Sequence, residues 1–162
     1  MTYICMEEEL SKFDLEGKWN DYIGMQKEII RVLKKNGYFD CQSIQNDETG
    51  MEIRITPKGI KETFGKGNRF QTLPKLVKKY KVCTVSVLPE LIKEANLIKD
   101  NVQNYYSETG YEFAYFRSSI YIDRELHMVR IAIKKKINTN HFYIHHIDTE
   151  KVLNYSAHLK RR

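Results

Sequence analysis

Residues 111–147 read YEFAYFRSSIYIDRELHMVRIAIKKKINTNHFYIHHI, and the alternation in that stretch decides the fold. Three alternating runs cover 113–122, 125–134 and 141–147, broken by Asp123-Arg124 and by Asn138-Thr139-Asn140. β-Branched and aromatic residues fill the runs and Asx-type turn residues fill the breaks, which predicts three antiparallel strands in a meander. Side chains alternate across a strand with a period of two, so each run has two faces. Ala114, Phe116, Ile120, Ile122, Val129, Ile131, Ile133, Phe142 and Ile144 fall on one face and predict a core. Tyr115, Arg117, Ser119, Tyr121, Met128, Arg130, Ala132, Lys134, Tyr143 and His145 fall on the other. This second face carries cations, hydroxyls, rings and an imidazole, with no carboxylate inside the runs. It reads either as an ordinary wet antiparallel face or as a platform for an anion, above all a nucleic-acid phosphate.

Upstream of the meander the periodicity becomes helical. Trp19, Tyr22, Ile23, Ile29, Ile30 and Leu33 recur at helical spacing before Gly37, which predicts an amphipathic helix behind an acidic lead-in over 1–17. Residues 42–50 read as a polar loop and 51–55 as a short strand. Thr56-Pro57 has the chemistry of a helix start, threonine at the N-cap and proline in the first turn, for a short helix over 57–64. Its first N–H groups form the positive end of a helix dipole. Gly65-Lys66-Gly67-Asn68-Arg69 follows, either as a plain connector or as a phosphate contact through Lys66 and Arg69. It lacks the GxxxxGK[ST] spacing of a P-loop.

Residues 73–80 predict a helix with exposed lysines, and 82–85 an extended piece. Ser86 reads as the cap of a helix that buries Leu88, Leu91, Ile92 and Ala95. Leu97-Ile98 leads into a loop ending at Gly110, in which Tyr105 and Tyr106 either contact a base or pack. Asp148-Thr149 is expected to cap a final helix with Val152, Leu153 and Tyr155 inward, before a basic tail. Helices first and a sheet last make an α+β fold, with N-terminal helices packed on one face of a C-terminal antiparallel β-meander. Residues 1–50 form the lead-in and amphipathic helix and 51–162 the α+β domain, expected as one compact unit.

Composition narrows the function classes. A length of 162 residues with 41% hydrophobic residues suits one globular domain. No apolar run approaches the roughly 18 residues of a membrane span, and the start lacks a basic-then-apolar leader. Met1 reads as the start of a free-standing chain. Cys5, Cys41 and Cys83 are sparse and show no CxxC spacing, as expected for reduced thiols in a host cytoplasm. The net charge is +6, with a sequence pI of about 9.1. Between Glu62 and Glu90 there is no acid, while Lys66, Arg69, Lys75, Lys78, Lys79 and Lys81 fall there. Lys134-Lys135-Lys136 and Lys160-Arg161-Arg162 add basic clusters. Such asymmetry favours a polyanionic partner through counterion release. No HExxH or Cys/His spacing appears, so neither a metal nor another cofactor is expected. No GxSxG elbow supports a serine nucleophile.

The series ITPKGIKETF, NRF, LPELI, YEFAYFRSSIYID and FYIHHID resembles small domains of phage and mobile-element polyvalent proteins. Those domains resemble in turn the Barnase–EndoU–colicin–RelE-like ribonuclease superfamily. The resemblance covers 51–148. It implies helices packed on an antiparallel sheet and metal-independent RNA cleavage, a toxin-like activity. EndoU-type members combine two histidines with a lysine, which implies His145, His146 and Lys134 here. Strand alternation, however, places His145 and His146 on opposite faces, leaving only His145 beside Arg117. Barnase-like members use a glutamate as base, which would have to come from Glu62.

Metal-free cleavage needs a base for the 2′-hydroxyl proton, an acid for the leaving oxygen and a cation for the phosphorane. His145 is the first candidate for proton transfer. Arg117 and Arg130 are candidates for clamping phosphate, with Lys134 adding charge. Tyr115 or Tyr143 offers stacking or a hydrogen bond. His127 and His141 are expected to be solvated near turns, and His158 lies in the tail. The expected partner is RNA rather than DNA, or else a host protein bound without catalysis.

Overall fold

The computed structural model describes residues 1–40, 43–65, 69–102, 110–137 and 139–152. In chain order the elements are β1 (Thr2–Ile4), α1 (Met6–Leu10), α2 (Tyr22–Lys35), β2 (Ile44–Gln45), β3 (Glu52–Arg54) and α3 (Pro57–Thr63). A 3₁₀ turn (Phe70–Thr72) leads to α4 (Lys75–Ser86), α5 (Leu88–Glu94), β4 (Asn96–Val102), β5 (Tyr111–Ile122), β6 (Glu125–Lys136) and β7 (Phe142–Lys151). The architecture is α+β, with helices on the apolar face of a mostly antiparallel sheet.

The predicted meander is the centre of that sheet. Within the described residues the strand order is β1-β5-β6-β7-β3-β2, and β4 also pairs with β5. Ala114, Phe116, Ile120, Ile122, Val129, Ile131, Ile133 and Ile144 are all buried in the core cluster, as alternation predicts. Asp123 (φ 49°) and Arg124 (φ 68°) form the two-residue β5–β6 turn, and both take the positive φ that matches strand twist. Asp123 also ties down the acidic lead-in: its carboxylate accepts from the Met6 N–H at 3.0 Å, and its own N–H donates to the Ile4 carbonyl at 3.1 Å.

Several local expectations give way to tertiary packing. The β-branched run after Val82 continues α4 as helix to Ser86, because α4 is buried between α1 and β7 and packing outweighs propensity. Ser86 therefore ends α4 and caps nothing; its hydroxyl lies 2.6 Å from the buried Glu9 carboxylate. The lysines of α4 are not all exposed. Lys78 and Lys81 are 2% and 4% exposed, and donate to the carbonyls of Trp19 at 2.6 Å and Thr63 at 3.1 Å. Residues 96–102 form β4 rather than part of a loop, because the outer edge of β5 is open to pairing there. Asp148 and Thr149 cap no helix; β7 runs through them to Lys151, since β6 offers a partner as far as His127. Leu153, Tyr155, His158, Tyr105 and Tyr106 lie outside the described residues.

His127, expected in solvent, is 0% exposed on the core face, its ring 4.3 Å from that of Tyr80. No described helix is long and apolar enough to cross a membrane.

Candidate functional site

β3 and α3 build one wall of the site. β3 lies parallel to β7 only at Ile53↔Phe142 and Arg54↔Tyr143. The chain then turns at Thr56, whose hydroxyl accepts from the Gly59 N–H at 3.1 Å, and α3 continues along the edge of β7 that β3 leaves uncovered. Gly59 packs so closely on Ile144 that any Cβ there would overlap the Ile144 carbonyl oxygen. One helical turn later, the buried Thr63 hydroxyl accepts the Ile147 N–H at 3.0 Å.

Between those two anchors the strand is bulged. Ile133 pairs with Ile144 but Ala132 pairs with His146, which leaves His145 as an extra residue on β7. A bulge interrupts alternation and re-aims side chains. Neighbours in a regular strand point to opposite faces, yet the His145 and His146 rings are 5.2 Å apart. The expectation that these histidines lie on opposite faces is therefore overturned, and both belong to the polar face. The shifted register also brings acids onto that face. Asp148 lies across from Arg130 and Glu150 across from Met128, so the face is not free of carboxylates.

A cavity of about 280 Å³ opens at this end of the sheet. It is lined by Thr56, Lys58, Gly59 and Glu62 from the α3 side, Tyr111, Lys134 and Lys136 from β5 and β6, and Tyr143, Ile144 and His145 from β7. Four expected residues thus meet: His145, Lys134, Tyr143 and Glu62. The Lys134 ammonium sits 4.1 Å from the centre of the Tyr111 ring. The His145 ring stands edge-on to Phe113 at 5.1 Å, and His141 flanks Tyr143 at 6.3 Å. Phe113 and Ala132 are buried but stand apart from the core cluster. Burial holds the His146 imidazole below the ordinary histidine range, helped by the neighbouring His145 and the Lys81 cation.

The other expected residues lie elsewhere. Arg117 and Arg130 are direct cross-strand partners. They lie four residues along the strand from the Lys134 row, roughly 13 Å away. Arg130 is paired with Glu150 at 3.3 Å, both side chains well exposed. Arg117 lines a separate depression with Met1, Glu94, Asn96, Ser118 and Ser119. Tyr115 occupies the row between, paired with Ala132. Arg69 is exposed beyond the far end of α3 and does not line the cavity; Lys66 is outside the described residues. Lys58, Lys136 and Tyr111 line the cavity without having been site candidates, Lys136 having counted only as part of a basic cluster. Lys136 and Tyr111 share a strand face with Lys134 and Phe113, a signal that alternation could have supplied; Lys58 has no such signal. Among the described residues no group of three His, Cys, Asp or Glu side chains could hold a metal ion.

The fold and the cavity define a small basic α+β domain with a histidine-bearing cleft at one end of its sheet. Residues 21–144 match the sequence model of large polyvalent protein-associated domain 3, and the chain belongs to that family. Membership supports the phage or mobile-element origin implied by the sequence resemblance. The matched stretch stops at Ile144, immediately before the histidine pair. No curated protein and no solved structure matches the chain.

Proposed function

We propose that this domain is a metal-independent endoribonuclease of a phage or mobile element, acting at the cavity between α3 and β7. The proposal rests on His145, which lines the cavity with Lys134 and Tyr143 and has the His146 ring 5.2 Å behind it. Two adjacent imidazoles can split the work of transesterification. His146, held neutral by burial, accepts the 2′-hydroxyl proton. The 2′-oxygen bonds to phosphorus as the bond to the 5′-oxygen breaks, and His145 delivers a proton to that leaving oxygen. Lys134 stabilises the phosphorane charge, and Tyr143 stacks on a base. Arg117 and Arg130 lie too far along the strand to clamp the same phosphate and contact the backbone further on.

The experiment is incubation of labelled RNA with purified protein in EDTA. Wild type should yield defined fragments, and His145→Ala or His146→Ala should lower the rate by about 10²- to 10⁴-fold. Cutting that survives both substitutions would sink the site. RNA that stays intact would leave the second reading, a binding module for RNA or a host protein. That reading is favoured by one observation: the Arg130 guanidinium is already engaged by Glu150.

A further inference from the structure

The bulge that unites the two histidines has no glycine or proline in β7 to mark it, and β6 pairs regularly on either side of the shift. The contacts that flank it come from α3 and α4. Thr63 is 0% exposed, and its hydroxyl makes two bonds: it donates to the Gly59 carbonyl at 3.0 Å and accepts from the Ile147 N–H at 3.0 Å. The first bond orients the hydroxyl so that its lone pair faces β7. The Thr63 carbonyl takes a bond from Lys81 at 3.1 Å, and the same ammonium lies 3.9 Å from the Asp148 carboxylate. Gly59 fixes the strand at Ile144, while Thr63 and Lys81 fix it at Ile147 and Asp148. His145 and His146 are the two residues left between the anchors.

We propose that Thr63 is a positioning residue for the His145–His146 pair, its buried hydroxyl holding the β7 bulge that turns both rings onto one face. The consequence for RNA cleavage rests on the nuclease reading above; the geometric claim stands without it. Valine matches threonine in shape but has no hydroxyl, so Thr63→Val leaves the Ile147 N–H without its acceptor. Serine keeps the hydroxyl, so Thr63→Ser retains the bulge.

The test is nuclear magnetic resonance of the full chain, with RNA cleavage measured alongside. In wild type, the Ile147 amide is protected from hydrogen exchange and the His145 and His146 rings show a mutual nuclear Overhauser effect. In Thr63→Val, Ile147 exchanges about tenfold faster or more, the ring-to-ring effect is lost, and the His146 titration midpoint rises toward that of an ordinary histidine. Cleavage falls through kcat rather than KM, and Thr63→Ser restores all of these readouts. A Thr63→Val protein that keeps the ring-to-ring effect overturns the proposal. So does a wild type whose Ile147 amide is unprotected, a result that stands even if Thr63→Val does not fold. Wild-type protein that leaves RNA intact removes the nuclease reading and leaves these magnetic-resonance outcomes to decide the positioning claim alone.

Discussion

Each face of the β5–β6–β7 sheet carries a histidine that burial holds below the ordinary range, and the two have different surroundings. His127 faces the core, fully buried, with neither ring nitrogen hydrogen-bonded and Tyr80 packed against it. His146 faces the opposite side, half-buried, with His145 touching it and the charges of Lys81, Asp148 and Glu62 nearby. The first is a packing element that carries a polar atom. The second has another imidazole against it, and that imidazole lines an open cavity. Burial lowers both, so a depressed pKa alone separates neither from the other. What separates them is the neighbouring imidazole and the route to solvent, and both of those depend on the bulge.

The largest effect on the histidine pair is expected at the α3 contact. Gly59→Ala places a methyl against the Ile144 carbonyl, and overpacking of this kind costs about 1–3 kcal/mol. In a helix free of that contact, alanine would instead stabilise by roughly 0.5–1 kcal/mol. Chemical denaturation therefore reads the sign directly, and a more stable Gly59→Ala protein would refute the close docking of α3 on β7.

A smaller effect sharpens the contrast through pH. The folded chain holds His127 below its ordinary value of 6.5, so the unfolded chain binds more protons as the solution becomes acidic. Stability is fully present above pH 6.5 and declines as pH falls through that value toward the folded pKa. His146 has the same sign and adds to the slope. Glu28, lowered from 4.5 by its bond to Arg31, acts only at more acidic pH. His127→Leu should thus flatten, without abolishing, the fall in Tm between pH 7 and pH 5, and leave RNA cleavage at pH 7 unchanged. An unaltered slope would show that His127 is not the acid-sensitive core group.

The apolar face was legible in the sequence because strand alternation is a local property. So were the Asp123-Arg124 turn, the Thr56-Pro57 helix start and the α+β order. His145, Lys134, Tyr143 and Glu62 could each be named as site candidates before the fold was known. Their meeting in one cavity depends on α3 lying along β7, a contact between residues more than 80 positions apart. The pairing of His145 with His146 was hidden for the same reason: Thr63 and Gly59 break the period of β7 from outside it. Lys81 reads as a surface lysine because nothing within α4 reveals that it reaches the Thr63 carbonyl. His127 reads as solvated because it sits near a turn, while the body of Tyr80 that covers it belongs to another element.

Whether the histidine pair meets RNA is decided by a binding footprint. A short single-stranded RNA with a 2′-deoxy sugar at the cleavage position would be titrated into the labelled wild-type chain, with His127 as the internal control. The largest shifts should fall on His145, His146, Lys134 and Tyr143, with smaller ones at Arg117 and Arg130 and none at His127. Shifts confined to Arg117 and Arg130, with the histidine pair unmoved, would contradict the proposed site.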